Sequence, residues 1–312
     1  MNRHRLTAFA LPLLLVAGCA TPPPPVTRAD MPAGQRFAGR LETAEVNASE
    51  AVRRVADFEQ VVAREEAAVT YALGTRRPAA TSTTSAAEAA ALVLAPAFTA
   101  IGDYGHVLDH AATGQPLSTR PGQPGADLAK AAEQGLAAVQ AAAGVTVAPE
   151  IRTAGLAGIA ALSDIAETLA MRGSEPGLQA LTQEAAPHLN AVVELLRQVL
   201  GAGQGQAVRG AVRANRSQLN AAHDRLLVAA RTSNRDPVVR YGLYRSIAAL
   251  RDNDPVQGSI GAVVTVLETM RDAHTALAAD PNSADAANKV AAFDHAVQTL
   301  GEIAGVQQQA QE

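Results

Sequence analysis

Apolar residues recur along the C-terminal third of the chain at alternating intervals of four and three positions. This repeat is typical of long helices that pack side by side and cross at about 20°. One stripe consists of Val256, Ile260, Val263, Leu267, Met270, His274 and Leu277. A second consists of Ala286, Val290, Phe293, Val297, Leu300 and Ala304, and a third of Val208, Val212, Leu219 and Leu226. The stripes predict three helices, each with one face buried against its neighbours.

The rest of the chain also favours helices. Good helix formers such as alanine, leucine and arginine are abundant, and alternating β-branched runs of strand length are missing. Asp236-Pro237 and Asp254-Pro255 each place a capping acid before a proline at the first helical position. The predicted helices cover roughly 39–73, 85–113, 125–143, 149–172, 175–201, 206–233, 236–251, 254–279 and 283–308.

We therefore predict an all-α fold, an elongated antiparallel bundle of about eight or nine helices without significant β-sheet. The bundle domain is expected to span residues 39–312, with 39–201 and 206–312 as two sub-bundles. Pro96 and Pro187 fall inside predicted helices, where a proline kinks or breaks the helix.

The N-terminal segment has a different pattern. Arg3 and Arg5 flank a histidine, and an apolar run from Leu6 to Val16 follows. This is the layout of a secretory signal, and the run is too short to span a bilayer. The next residues, Val16-Ala17-Gly18-Cys19, resemble the lipobox of bacterial lipoproteins. The resemblance covers residues 1–20 only.

The resemblance implies that residues 1–18 are a signal peptide that is removed, and that Cys19 receives a diacylglycerol and an acyl chain on its new amino group. Ala20 stands where many Gram-negative lipoproteins carry the aspartate that retains them at the inner membrane. The implied location is therefore the periplasmic face of the outer membrane. Residues 19–38 read as a proline-rich tether, in which Pro22 to Pro25 favour an extended polyproline II conformation.

Charge excludes one class of partner and suggests another. Loss of Arg3 and Arg5 with the signal changes the formal net charge from −4 to −6, which argues against a nucleic-acid binder. Residues 206–251 nevertheless contain nine arginines and two aspartates, whereas residues 41–73 contain seven acids and three arginines. These segments either pair or are solvated helix faces. The alternative is an anion-binding face for lipid head groups or cell-wall carboxylates, centred on Arg209, Arg213 and Arg216.

One constellation could bind a metal. Asp103, His106 and His110 are spaced to share one side of a helix, away from its predicted apolar face, and these side chains are ligands for divalent metals. The plainer interpretation is local pairing on an exposed face. His274 lies on an apolar stripe and His223 beside one, so both are expected to make hydrogen bonds between helices.

No nucleotide-binding loop, zinc-protease motif or paired-cysteine motif is found in the sequence. We therefore expect a membrane-anchored, non-enzymatic binding or scaffold module of the cell envelope. Its partner would be an envelope protein, a lipid head group or the cell wall. We expect no cofactor beyond the covalent lipid on Cys19. Two alternatives stay open: a metal-dependent enzyme or metal binder using Asp103, His106 and His110, and a carrier with a closed apolar cavity for a small ligand.

Overall fold

The described part of the chain contains ten α-helices and no β-strand in the computed structural model, which confirms the all-α prediction. The structure describes residues 31–74, 84–118, 122–173, 176–203, 205–233, 236–252 and 258–305. The helices are α1 (Ala33–Ala72), α2 (Ala86–Thr113), α3 (Gly125–Ala143), α4 (Pro149–Ser163), α5 (Ile165–Met171), α6 (Leu178–Leu200), α7 (Ala207–Thr232), α8 (Pro237–Asp252), α9 (Ser259–Ala279) and α10 (Ala284–Ala304).

The apolar stripes form the core as predicted. All the stripe residues of α9 from Ile260 to Leu277 are buried, and so is the complete stripe of α10. Val256, the first residue of the α9 stripe, lies outside the described residues. On α7 the first three stripe residues are buried and Leu226 is half-buried, so the packing loosens towards the end of that helix.

Two side chains form capping hydrogen bonds at helix starts, and the first of them was predicted. The carboxylate of Asp236 accepts a hydrogen bond from the backbone N–H of Val238 at 2.7 Å, at the start of α8. The hydroxyl of Ser283 accepts one from the N–H of Ala286 at 3.1 Å, at the start of α10. These bonds satisfy backbone donors that have no partner inside the helix. Asp254-Pro255 lies outside the described residues.

The first helix begins earlier than predicted. α1 starts at Ala33, directly after Pro32, and Phe37 within it is fully buried. The helix start predicted near residue 39 is therefore six residues too late. Phe37 packs on the rings of Phe293 and His274, with centroids 5.2 and 5.9 Å away.

The helix breaks also differ from the prediction. α2 continues through Pro96 and α6 through Pro187, whereas the predicted helix 149–172 is divided into α4 and α5 at Asp164. The carboxylate of Asp164 accepts a hydrogen bond from the backbone N–H of Gly125 at 2.9 Å, which ties this break to the start of α3.

α1 joins the two predicted sub-bundles, because it packs on α2 as well as on α7, α9 and α10. Three of its polar side chains, spaced by seven, bind α10. Arg40 forms an ion pair with Asp294. Asn47 donates a hydrogen bond to the carbonyl of Val297 at 2.9 Å, and Arg54 donates one to the carbonyl of Ile303 at 2.6 Å. The numbers rise together, so α1 and α10 run parallel. Residues from Pro32 onward form one compact unit.

By length and composition alone α2 could cross a membrane, but 72% of its most apolar window is buried within the protein. α4 and α5 reach the length and apolar composition of a membrane-spanning helix only when the bent pair is counted as one span. The burial of α2 is that of a core helix, which contacts α1, α3, α4 and α6.

Close helix contacts at glycine give a first prediction. A Cβ added to Gly135 of α3 would lie 2.7 Å from the backbone carbonyl of Leu92 in α2, whereas one added to Gly39 would meet nothing within 4 Å. Gly135→Ala should therefore lower the free energy of unfolding by about 1–3 kcal/mol through overpacking. Gly39→Ala should raise it by up to about 1 kcal/mol, since alanine is the better helix former. Urea unfolding followed by helical circular dichroism measures both, and equal effects would contradict the packing of α2 on α3.

Candidate functional site

α8 is the least buried helix of the bundle. Of its sixteen described residues, Ile247 alone is buried. The helix packs on α7, where Arg251 donates hydrogen bonds to the carboxylate of Asp224 at 3.0 Å and to the backbone carbonyl of Asn220 at 3.2 Å. Its other surface is left to solvent.

That outward surface is rich in large apolar side chains. Ten such side chains are exposed in the part of the chain that the structure describes, and five of them lie on α7 and α8, namely Val228, Val238, Val239, Tyr241 and Tyr244. The two tyrosines are 65% and 62% exposed. At about 100° per residue, Val238, Tyr241 and Arg245 share one sector of roughly 60° opposite the buried Ile247. Tyr244 and Val239 lie outside this sector, about 60° and 100° beyond its two edges, and Val228 lies on α7. Single exposed apolar residues are ordinary, but five on two adjoining helices mark the best candidate for an interaction surface in the described residues.

Arginines accompany this apolar group. Arg225, Arg231 and Arg245 are exposed and form no ion pair with any residue that the structure describes. α8 folds back along α7, so the contact between Arg251 and Asp224 places Arg231 beside the middle of α8. We call the group formed by Arg231, Val238, Val239, Tyr241, Tyr244 and Arg245 the arginine–tyrosine surface.

The predicted anion-binding arginines lie on the other half of α7. Arg209 is half-buried and its guanidinium lies over Gly261 of α9, while Arg213 is exposed and Arg216 half-buried, both with partners. Anion binding at these three positions stays a prediction.

α1 and α7 pack together, but the contacts between their acidic and basic segments come from an asparagine and a histidine, so pairing of these segments through their arginines stays a prediction. Asn215 of α7 donates to Glu59 of α1 at 3.3 Å, and His223 lies 3.1 Å from the carboxylate of Glu65. Three exposed arginines that form no ion pair within the described residues, Arg225, Arg231 and Arg245, lie further along this segment. The sequence contained a signal for them, because residues 237–251 hold three arginines and no acid.

The structure buries the aspartate of the predicted metal site. Asp103 is 5% exposed, and its carboxylate accepts a hydrogen bond from the hydroxyl of Ser163 in α4 at 2.8 Å. The prediction that Asp103 lies on an exposed face is therefore wrong, because α4 covers this side of α2.

His106 and His110 do lie together, with ring centroids 4.5 Å apart. His106 is hydrogen-bonded to the hydroxyl of Ser118 at 3.3 Å, and Nδ1 of His110 donates to the carbonyl of Pro116 at 2.6 Å. Both rings thus hold the chain that follows α2. Within the described residues, no group of three or more histidine, cysteine, aspartate or glutamate side chains could hold a metal ion. Metal binding by this pair stays a prediction.

The buried histidines bond between helices, as expected. Nε2 of His274 in α9 is hydrogen-bonded to the hydroxyl of Tyr104 in α2 at 2.7 Å, and both side chains are buried. His223 of α7 is fully buried and reaches Glu65 of α1. Burial lowers the pKa of His274 from 6.5 to about 4, so this imidazole is neutral at neutral pH.

This pKa predicts how stability depends on pH. Below pH 6.5 the unfolded chain protonates His274, while the folded protein does not until about pH 4. The free energy of unfolding is therefore largest above pH 6.5, and it falls by about 3 kcal/mol in total as the pH is lowered towards 4. Urea unfolding of wild type and His274→Gln should show a stability gap that shrinks by about 2 kcal/mol between pH 7 and pH 5. An unchanged gap would contradict the buried, neutral state of His274.

One pocket lies where the α3–α4 connection meets the end of α6 and the start of α7. Its volume is about 760 Å³, it is open to solvent, and its lining includes Gly144, Glu194, Arg197, Gly210 and Ala214. This is not the closed apolar cavity expected of a small-ligand carrier. That alternative remains a prediction without support from this pocket.

Cys19, the predicted site of lipidation, lies outside the described residues. The described helices therefore leave the arginine–tyrosine surface as the best candidate for a functional site. Comparison with protein-family models, curated proteins and solved structures finds no match for this chain.

Proposed function

We propose that this chain is a lipoprotein of the bacterial cell envelope whose helical domain is a non-enzymatic binding module. The lipid on Cys19 would hold it on the periplasmic face of the outer membrane. The observation that carries the binding role is the arginine–tyrosine surface, which combines two exposed tyrosines with two exposed arginines that form no ion pair within the described residues. Tyrosine and arginine are enriched where proteins bind their partners.

The proposal is tested by photo-crosslinking in intact cells that carry the lipidated protein. p-Benzoylphenylalanine replaces Tyr241 or Tyr244, and irradiation links it to whatever lies against α8. We expect a defined crosslinked product at both positions. Met171 on α5 is the matched control, because its side chain is 75% exposed but lies outside the surface.

Products at Tyr241 and Tyr244 that are absent at Met171 would support the proposal. No product, or the same products at all three positions, would contradict a specific role for this surface. Because the probe reacts with C–H bonds of protein and lipid alike, the result does not depend on the chemical class of the partner.

A further inference from the structure

We infer that the arginine–tyrosine surface binds the surface of an anionic phospholipid bilayer. This inference rests on the proposed function and names its partner. The surface has the composition of an interfacial helix, with apolar and aromatic side chains that enter the head-group region and arginines that meet the phosphates.

Charge indicates an anionic partner. Residues 206–251 have a formal excess of seven positive charges in a chain whose net charge is −4. Arg231 and Arg245 make no ion pair within the described residues, so their guanidinium groups are available to phosphate oxygens. Two copies of the chain meeting through this surface would place arginine against arginine, which disfavours self-association here.

Shape and side-chain type favour a bilayer over an acidic protein. α8 projects a single convex helical face, formed by Val238, Tyr241 and Arg245, and only Ile247 of its described residues is buried. Such a face can enter the head-group layer along its length without needing a complementary groove. Tyrosine suits this depth, because its ring is apolar and its hydroxyl stays in the hydrated layer. Arginine can reach the phosphates while its stem lies against apolar groups.

The test uses the chain from residue 19 onward with Cys19→Ser, which removes both the signal and the acyl anchor. This polypeptide keeps the whole compact unit that begins at Pro32. Vesicles of phosphatidylcholine alone are compared with vesicles containing phosphatidylglycerol, and bound protein is measured by co-sedimentation. We expect binding to the phosphatidylglycerol vesicles only, and weaker binding as salt rises, since head-group attraction is screened.

Two double variants separate the charged and apolar contributions. Arg231→Gln with Arg245→Gln should weaken binding by about 25-fold, at about fivefold for each arginine near the membrane surface. Tyr241→Ser with Tyr244→Ser should weaken binding at low and high salt alike. The controls are Arg172→Gln and Met171→Ser, which remove an exposed arginine and an exposed apolar side chain outside the surface. Helical circular dichroism confirms that each variant is folded.

Unchanged binding by both double variants would overturn the inference, and so would equal binding to the two kinds of vesicle or none to either. If vesicles fail but photo-crosslinks from Tyr241 and Tyr244 identify a protein, the lipid inference is wrong and the proposed function stands. If vesicle binding and crosslinks both fail, both are wrong.

Discussion

Replacement of Phe37 by alanine is expected to lower the free energy of unfolding by about 3–5 kcal/mol. The side chain is fully buried, and its ring contacts those of Phe293 in α10 and His274 in α9. Alanine would leave a cavity where three helices meet, and rigid helices can collapse into it only in part. Urea unfolding followed by circular dichroism measures the loss.

Val46→Ala on the same helix is the matched control, because this side chain is 53% exposed and its loss should change stability by less than about 0.5 kcal/mol. A similar small change for Phe37→Ala would mean that the first turns of α1 do not belong to the folded domain.

The start of α1 shows where sequence pattern gives too little information. Gly34 and Gly39 flank Phe37, and five prolines precede Ala33 within residues 20–32. Composition therefore resembles a tether up to this point, and one isolated aromatic residue makes no stripe. Phe37 becomes a core residue only because α9 and α10 arrive beside it from the other end of the chain.

The long apolar stripes could be predicted well, because many residues of each stripe support the same helical phase. In α9 and α10 the four-three repeat continues over about six turns, so each residue is supported by several others in the same phase. His274 could be assigned to an interhelical bond because it occupies one of these positions. Its partner, Tyr104, could not be identified, since the pairing of α2 with α9 is a tertiary contact.

For Asp103 and for the tyrosines of α8, the exposure expected from the sequence differs from the exposure in the structure, and in opposite senses. The sequence predicts that Asp103 lies on an exposed face of α2. In the structure α2 packs on several helices, and α4 covers the side of α2 that carries Asp103. Tyr241 and Tyr244 drew no functional prediction, because apolar residues in a helix are usually taken as core. Only the placement of α8 at the edge of the bundle shows that they are exposed.

Cys19→Ser is expected to abolish membrane attachment that resists a high-salt wash and to leave the bundle folded. The acyl chains on Cys19 would provide the stable attachment, because two or three buried lipid chains suffice to anchor a protein. The surface of α8 would bind the membrane far more weakly. Residue 19 lies outside the compact unit that begins at Pro32, so we expect the substitution to leave the fold intact. Fractionation of cells into membrane and soluble material measures the first effect, and circular dichroism the second.

Ala20→Asp provides the control for this experiment. By its resemblance to lipoprotein sorting signals, this change should keep the protein on a membrane but shift it from the outer to the inner one. If the Cys19→Ser protein stayed in the membrane fraction after a high-salt wash, an anchor other than this cysteine would be required.

The functional proposal depends on the lipid at Cys19, and the intact mass of the protein purified from membranes tests it most directly. We predict a polypeptide that lacks residues 1–18 and carries the added mass of a diacylglycerol and one further acyl chain, all located on the N-terminal peptide that begins with Cys19. An unmodified cysteine, or a chain that still begins at Met1, would contradict it.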